Sequence, residues 1–237
     1  MNKKYELTDE TTEIEGHILH RIKALKDFFD VKKGDLGGFV ESEKNLSPED
    51  NCWIYDNGLV YENGRVCDNG CVFGNGRVCG HGHVCGHGHV YGNGCVTENG
   101  YVSDDGYVSG NGCVSDDGCV SGYGCVFDNG CVSDDGYISG NGHVSGNGCV
   151  SGTAYITDHA RITGSGSVTS DADYTEIKGF GTEHRSTTFF RCKDGRVRVQ
   201  CGCFYGTINQ FRKQVKKTRE GKIAKEYLLA ADMMEVH

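Results

Sequence analysis

From Tyr55 onward an aliphatic residue returns every six positions: YDNGLV, YENGRV, CDNGCV, FGNGRV, CGHGHV, and so on without insertion to TSDADY at Tyr174. Val or Ile closes nearly every hexad, and Gly or Ala stands two residues earlier. This spacing predicts a solenoid whose coil has three short sides, with about twenty hexads building about six to seven coils. The Val side chain points into the core and its two neighbours point outward. The small residue tucks into a corner, and the two residues before it turn the chain. Asp, Asn and Gly suit those turns because they tolerate left-handed backbone angles. Residues eighteen apart then stack about 4.8 Å from one another, in a prism about 30 Å long.

Stacking converts the sequence into columns. One side carries Cys95, Cys113, Cys131 and Cys149 beside Thr97, Ser115, Ser133 and Ser151. A second carries Cys67, His83, Cys85, Tyr101, Cys119, Tyr137 and Tyr155. The third is partly aromatic, with Tyr55, Phe73, His89, Tyr91, Tyr107, Phe127 and His143. One corner repeats Asn57, Asn75, Asn93, Asn111, Asn129 and Asn147, whose amides are expected to hydrogen-bond along the axis as in cross-β stacks. Another gathers Glu62, Glu98, Asp116, Asp117, Asp134 and Asp135. The corner residue itself is Gly almost throughout, with Ala only at 154, 160 and 172, so each Gly forgoes a buried methyl at an entropic cost of about 0.5–1 kcal/mol. On that reasoning Gly100→Ala or Gly112→Ala is expected to raise the melting temperature.

The pattern changes at both ends. Residues 1–54 read as a capping segment, with Ile18, Ile22, Leu25 and Phe28 or Phe29 at helical or strand-like intervals. Residues 55–174 form the solenoid. Residues 175–237 predict a β-hairpin turning at Lys193–Gly195, followed by two helices, the first with Ile208, Phe211 and Val215 on one face. That unit is too small for a robust core of its own, so it is expected to pack on the solenoid or on another subunit.

The 237 residues include 37 glycines, one proline and 14 cysteines. No apolar leader or membrane-length stretch is visible, so a reducing cytoplasm and free thiols are expected. The net charge of −9 argues against general nucleic-acid binding. It is unevenly spread: the solenoid is strongly acidic and the C-terminal segment basic.

Several residues carry candidate chemistry. Cys67, His83 and Cys85 come close on adjacent coils and name zinc as the one candidate ion. A structural zinc needs four tetrahedral ligands, which a short flat strand supplies poorly, so no cofactor is expected. Asp116, Asp117, Asp134 and Asp135, with Tyr91, Tyr107 and Phe127, form candidate binding surfaces. Arg212 and Lys216 belong to a basic helical stretch able to touch phosphates or an acidic neighbour.

The stretches LHRIKALKDFFDVKKGDLGGFVESEKNLSPEDNCWIYDNG and TTFFRCKDGRVRVQCGCFYGTINQFRKQVKKT resemble the ends of hexapeptide-repeat proteins of phages, prophages and Gram-positive bacteria. The resemblance implies a mainly β architecture, a left-handed parallel β-helix with an N-terminal cap and a small C-terminal α+β domain. It also implies a trimer, with a possible small-ligand site between subunits, but carries no catalytic residue. Such repeats usually read GNAxV, and this chain departs from them in its corner glycines. Acyl-transferring relatives of the solenoid interrupt the repeat with a loop bearing a His base; this repeat is unbroken, and His83, His89 and His143 lie on flat faces. The expected function is therefore non-catalytic binding or scaffolding toward a host or phage protein. An acyltransferase-like enzyme, a DNA mimic and a phage structural protein are the alternatives.

Overall fold

A computed structural model describes residues 3–180 and 184–236. The N-terminal cap is antiparallel rather than helical. Strands β1 (Tyr5–Ile14) and β2 (His17–Ala24) form a hairpin whose turn, Glu15–Gly16, takes positive φ at both residues. That geometry matches the twist of the flanking strands. Strand β3 (Leu36–Val40) pairs antiparallel with β2 and then parallel with the first strand on its side of the solenoid, so the hairpin sheet continues into the prism. HILHRIKA is a strand here because β1 and β3 satisfy its backbone from both sides, which decides between the helical and strand-like readings of its spacing. The buried Lys4 amine ties the cap down, donating to the carbonyls of Glu49 (2.9 Å) and Cys52 (3.0 Å) and lying 3.2 Å from Cys52 Sγ.

His17 joins the hairpin to the prism. Its Nδ1 lies 3.0 Å from Glu41 and its Nε2 3.5 Å from Glu62. The Glu41 contact raises the imidazole pKa above its ordinary value, and the same contact lowers that of Glu41. A raised His contributes fully below its unfolded pKa of about 6.5 and stops contributing as pH climbs through the folded value; a lowered Glu contributes above its unfolded value of about 4.5 and fades in acid. The hairpin is therefore expected to hold best between those limits and to loosen in mild base. NMR titration of His17, with amide exchange along β2, measures this; a His17 pKa at or below 6.5 would sink the idea.

Strands β4 (Trp53–Ile54) to β23 (Ser167–Val168) follow at six-residue steps, each two residues long. Every third strand pairs in parallel register, as in Cys95↔Cys113, Tyr101↔Cys119 and Tyr107↔Cys125, and the three faces make a β-solenoid of about seven turns. The stacked Val and Ile side chains are fully buried and form one continuous core. Each inter-coil backbone bond is made by the residue eighteen positions away or its near neighbour, so no turn leaves a long irregular loop. The amide ladder is present from Asn75 to Asn147, with Nδ2···Oδ1 distances of 3.1–3.3 Å.

The left-handed turn residue is the first of each pair: Asp56, Glu62, Asp68, Glu98, Asp104, Asp116, Asp128, Asp134 and Asp158, or Gly at the other coils. Where a Gly follows in the same column, the acidic side chain often accepts its backbone N–H, as Asp56 does from Gly74 (3.1 Å) and Glu62 from Gly80 (2.6 Å). A carboxylate in the turn thus partners an otherwise free donor one coil away.

The C-terminal unit is larger than a hairpin. β24 (Tyr174–Phe180), β25 (Arg185–Arg191), β26 (Val197–Cys201) and β27 (Phe204–Thr207) form a four-stranded antiparallel sheet, followed by α1 (Ile208–Thr218) and α2 (Gly221–Val236). Thr207 and Gln210 close a capping box at the start of α1. The helices cover one face of the sheet around Phe189, Val199, Phe211, Val215 and Tyr227, while Phe190 and Cys192 turn the other way and join the solenoid core. No helix among the described residues is long and apolar enough to cross a membrane.

Candidate functional site

The four corner carboxylates lie where the repeat puts them, exposed at stacked turns. Asp134 accepts from Gly152 N (3.2 Å), Asp117 from Asn99 Nδ2 (3.1 Å) and Asp116 from the Ser115 hydroxyl (3.4 Å). Asp135 has no side-chain hydrogen bond among the described residues.

On the aromatic face Tyr55 and Phe73 stack at 4.4 Å, nearly parallel, and Tyr91 leans on Phe73 at 6.0 Å. Tyr107 approaches His89 at 6.4 Å, and Phe127 meets His143 edge-on at 6.1 Å farther along. Tyr91 is exposed, Tyr107 and Phe127 half-buried. At the N-terminal end of this face a groove of about 260 Å³ is lined by Phe29, Tyr55, Cys71, Phe73, His87 and His89. Phe29 is 77% exposed and held at φ 45°, a region that bulky side chains rarely occupy. Its neighbour Asp30 accepts the Tyr55 hydroxyl at 2.6 Å. The columns found Tyr55, Phe73 and His89; they missed Phe29 and Asp30, because only the docking of the β2–β3 loop carries those residues onto the face.

Burial pushes the pKa of His83, His89 and His143 down, so their rings are neutral near pH 7. His143 sits on a side of the prism, while His89 lines the groove beside Phe29.

All the cysteines are free. In the column Cys113, Cys131 and Cys149 the thiols stack in register; the neighbouring Cys131 holds Cys113 down at about 7, and the neighbouring Cys113 and burial push Cys131 up. Of the residues singled out for metal, Cys67 and Cys85 come together, but their third partner is Asp68: the two Sγ atoms and a carboxylate oxygen lie within 4.8 Å of one another. His83 is outside that group, with its ring over Tyr101 at 6.2 Å. Asp68 escaped notice because its letter reads simply as a turn residue.

The basic stretch is largely spent on internal contacts at its first member. Arg212 reaches across to α2 and pairs with Asp232 and Glu235, both at 2.6 Å, so its guanidinium pins the two helices and is not free for phosphate. Lys216 is exposed in the last turn of α1. Cys201 ends β26 and Cys203 lies in the turn to β27. Compared with protein-family models and with curated proteins, the chain gives no match.

Proposed function

We propose that the chain is a left-handed hexapeptide-repeat β-helix that works as a non-catalytic scaffold, docking on a basic protein surface through its acidic corner. The unbroken six-residue period and three-sided coil support the handed fold, and the resemblance of the chain ends to phage and prophage proteins supports a host protein as the partner. One observation carries the docking role: Asp117 stands directly one coil below Asp135. In the equivalent column of another corner the chain uses Asn, which gains an axial hydrogen bond at each step from Asn75 to Asn147. Aspartate at the same position replaces that bond with repulsion between like charges about 4.8 Å apart. A stack that opposes stability in the isolated chain is what a cationic partner relieves, and the solenoid's acidic balance adds long-range attraction.

The test is retention of bacterial host proteins on immobilised, reduced protein across a salt series. The expected result is a basic protein held at low salt, released as salt rises, and not retained by the variant Asp116→Asn, Asp117→Asn, Asp134→Asn, Asp135→Asn. Equal retention by that variant overturns the docking site. Competition by duplex DNA for the same partner identifies DNA mimicry, and acetyl-CoA binding that disappears in His89→Ala or His143→Ala identifies the enzyme alternative.

The groove beside Phe29 favours a second reading, sequestration of a small flat ligand. Its aromatic walls with one polar edge at Asp30 have the make-up of ligand pockets. Native mass spectrometry of freshly purified protein reads subunit number and retained ligand together, and a bare chain or oligomer counts against this reading.

A further inference from the structure

The repeat offers more at Cys67 and Cys85 than a pair of stacked thiols. Residues at this hexad position meet a side chain sixteen residues onward, on the next coil. Cys85 Sγ lies 2.8 Å from the Tyr101 hydroxyl, Ser121 Oγ 2.6 Å from the Tyr137 hydroxyl, and Ser139 Oγ 3.1 Å from the Tyr155 hydroxyl. The same step from Cys67 arrives at His83, which stands in its column between Arg65 and Tyr101. An imidazole therefore stands where the next coil presents the Tyr101 phenol. Among the described residues no side-chain hydrogen bond holds its ring nitrogens. Two thiols and a carboxylate are already within 4.8 Å of one another, and His83, outside that group, is the donor that the sixteen-residue step from Cys67 reaches.

We propose that Cys67, Asp68, His83 and Cys85 form a binding site for a zinc-class divalent cation that clips two adjacent coils together. The donor set selects the ion. Two sulfurs disfavour the hard cations Ca²⁺ and Mg²⁺, which take oxygen ligands, and two cysteines with a single histidine match neither the four cysteines nor the two cysteines and two histidines that hold [2Fe–2S] clusters. A mixed sulfur, nitrogen and oxygen set on a tetrahedral ion suits Zn²⁺, with bonds of about 2.0–2.3 Å and neighbouring ligand atoms roughly 3.5 Å apart. The present spacing contracts to that by side-chain rotation, while the backbone stays in register. Asp68 is already held in its left-handed turn, with its carboxylate near the Gly86 N–H at 3.1 Å, so its approach is set before metal arrives. The scaffold role does not depend on this site.

Titration of reduced, chelator-stripped protein with Co²⁺, read by thiolate-to-metal absorption, tests the assignment. The expected result is one equivalent bound with a two-thiolate band, displaced by Zn²⁺, and a melting temperature raised by Zn²⁺. Cys67→Ser with Cys85→Ser is expected to lose the band and the thermal shift. Cys113→Ser with Cys131→Ser, which removes two stacked thiols elsewhere, keeps both. His83→Gln and Asp68→Asn keep the band but weaken binding at least tenfold. Circular dichroism establishes that each variant retains the solenoid. Equal loss in the two double variants means indiscriminate thiol binding and overturns the site; no uptake by the wild type does the same. Unchanged affinity in His83→Gln overturns the four-ligand assignment.

Discussion

Replacing Phe190 with alanine will open the C-terminal coils of the solenoid while its N-terminal end stays folded. A stack of coils has no intrinsic end; the last core residues and strand edges face solvent unless something covers them. Here β25 does so. Phe190 is 1% exposed and packs with the buried Val and Ile column, Cys192 beside it bridges to Gly166, and Thr188 Oγ1 accepts the Arg161 N–H at 3.0 Å. Phe189, one residue earlier, is buried in the other core under α1 and α2. Alternation along one strand therefore fastens the sheet-and-helix unit to the prism. Truncating a buried Phe costs about 3–5 kcal/mol. Because each coil contacts only its neighbours, the loss falls on the last coils first. Hydrogen exchange should accelerate from about Ala154 to Val168, with the fluorescence of Trp53, the single tryptophan, unchanged at the far end. Uniform acceleration along the prism, or none, would show that β25 is not the seal.

Gly100→Ala will lower the melting temperature, contrary to the expectation from glycine's entropy. A Cβ at Gly100 would stand 2.6 Å from the Val114 carbonyl oxygen and 2.9 Å from that of Thr97. At Gly112 the nearest oxygens, of Ser109 and Val126, are both 2.9 Å away. These are backbone atoms of the same turn and of the next coil, so a methyl cannot enter by rotating a side chain; the coils must part. Overpacking of this kind costs about 1–3 kcal/mol, against a gain of up to about 1 kcal/mol from stiffening the unfolded chain. Where alanine does occur, the coil has made room: the corner N–H···O distance is 3.3 Å at Ala154 and 3.2 Å at Ala160, against 2.8 Å at Gly100. Gly142, whose nearest neighbours are 3.1 Å away, lies beside that looser end and should tolerate alanine best. Thermal melts of Gly100→Ala and Gly142→Ala decide the matter: a rise at Gly100, or a larger drop at Gly142, contradicts the close approach of the coils.

The proposed metal ligands show how far a periodic sequence can be read. Cys67, His83 and Cys85 could be placed on neighbouring coils by counting in eighteens, since stacked strands have a fixed spacing. Asp68 could not be added by counting, because its side-chain direction depends on a left-handed turn that Gly adopts equally well at other coils. Arg212 failed for a different reason. Its helix is legible, but Asp232 and Glu235 come from a second helix whose packing angle no local pattern specifies.

The hexad alone determined the solenoid, its inward Val and Ile, its three faces, the amide ladder and the acidic corner, because a short period with one small and one branched residue leaves the backbone few ways to bury its apolar side. Tertiary structure decided the rest. Whether HILHRIKA pairs as a strand depends on β1 and β3 being there to pair with it. Whether Phe29 overhangs a groove depends on how the cap docks, and whether Phe190 seals an end depends on a sheet whose edge strands, Tyr174–Phe180 and Phe204–Thr207, carry little alternation of their own. The preference for Gly at the corners belongs to the same class: it arises from the distance between a turn and the carbonyl fourteen residues ahead, which exists only once the coils are stacked.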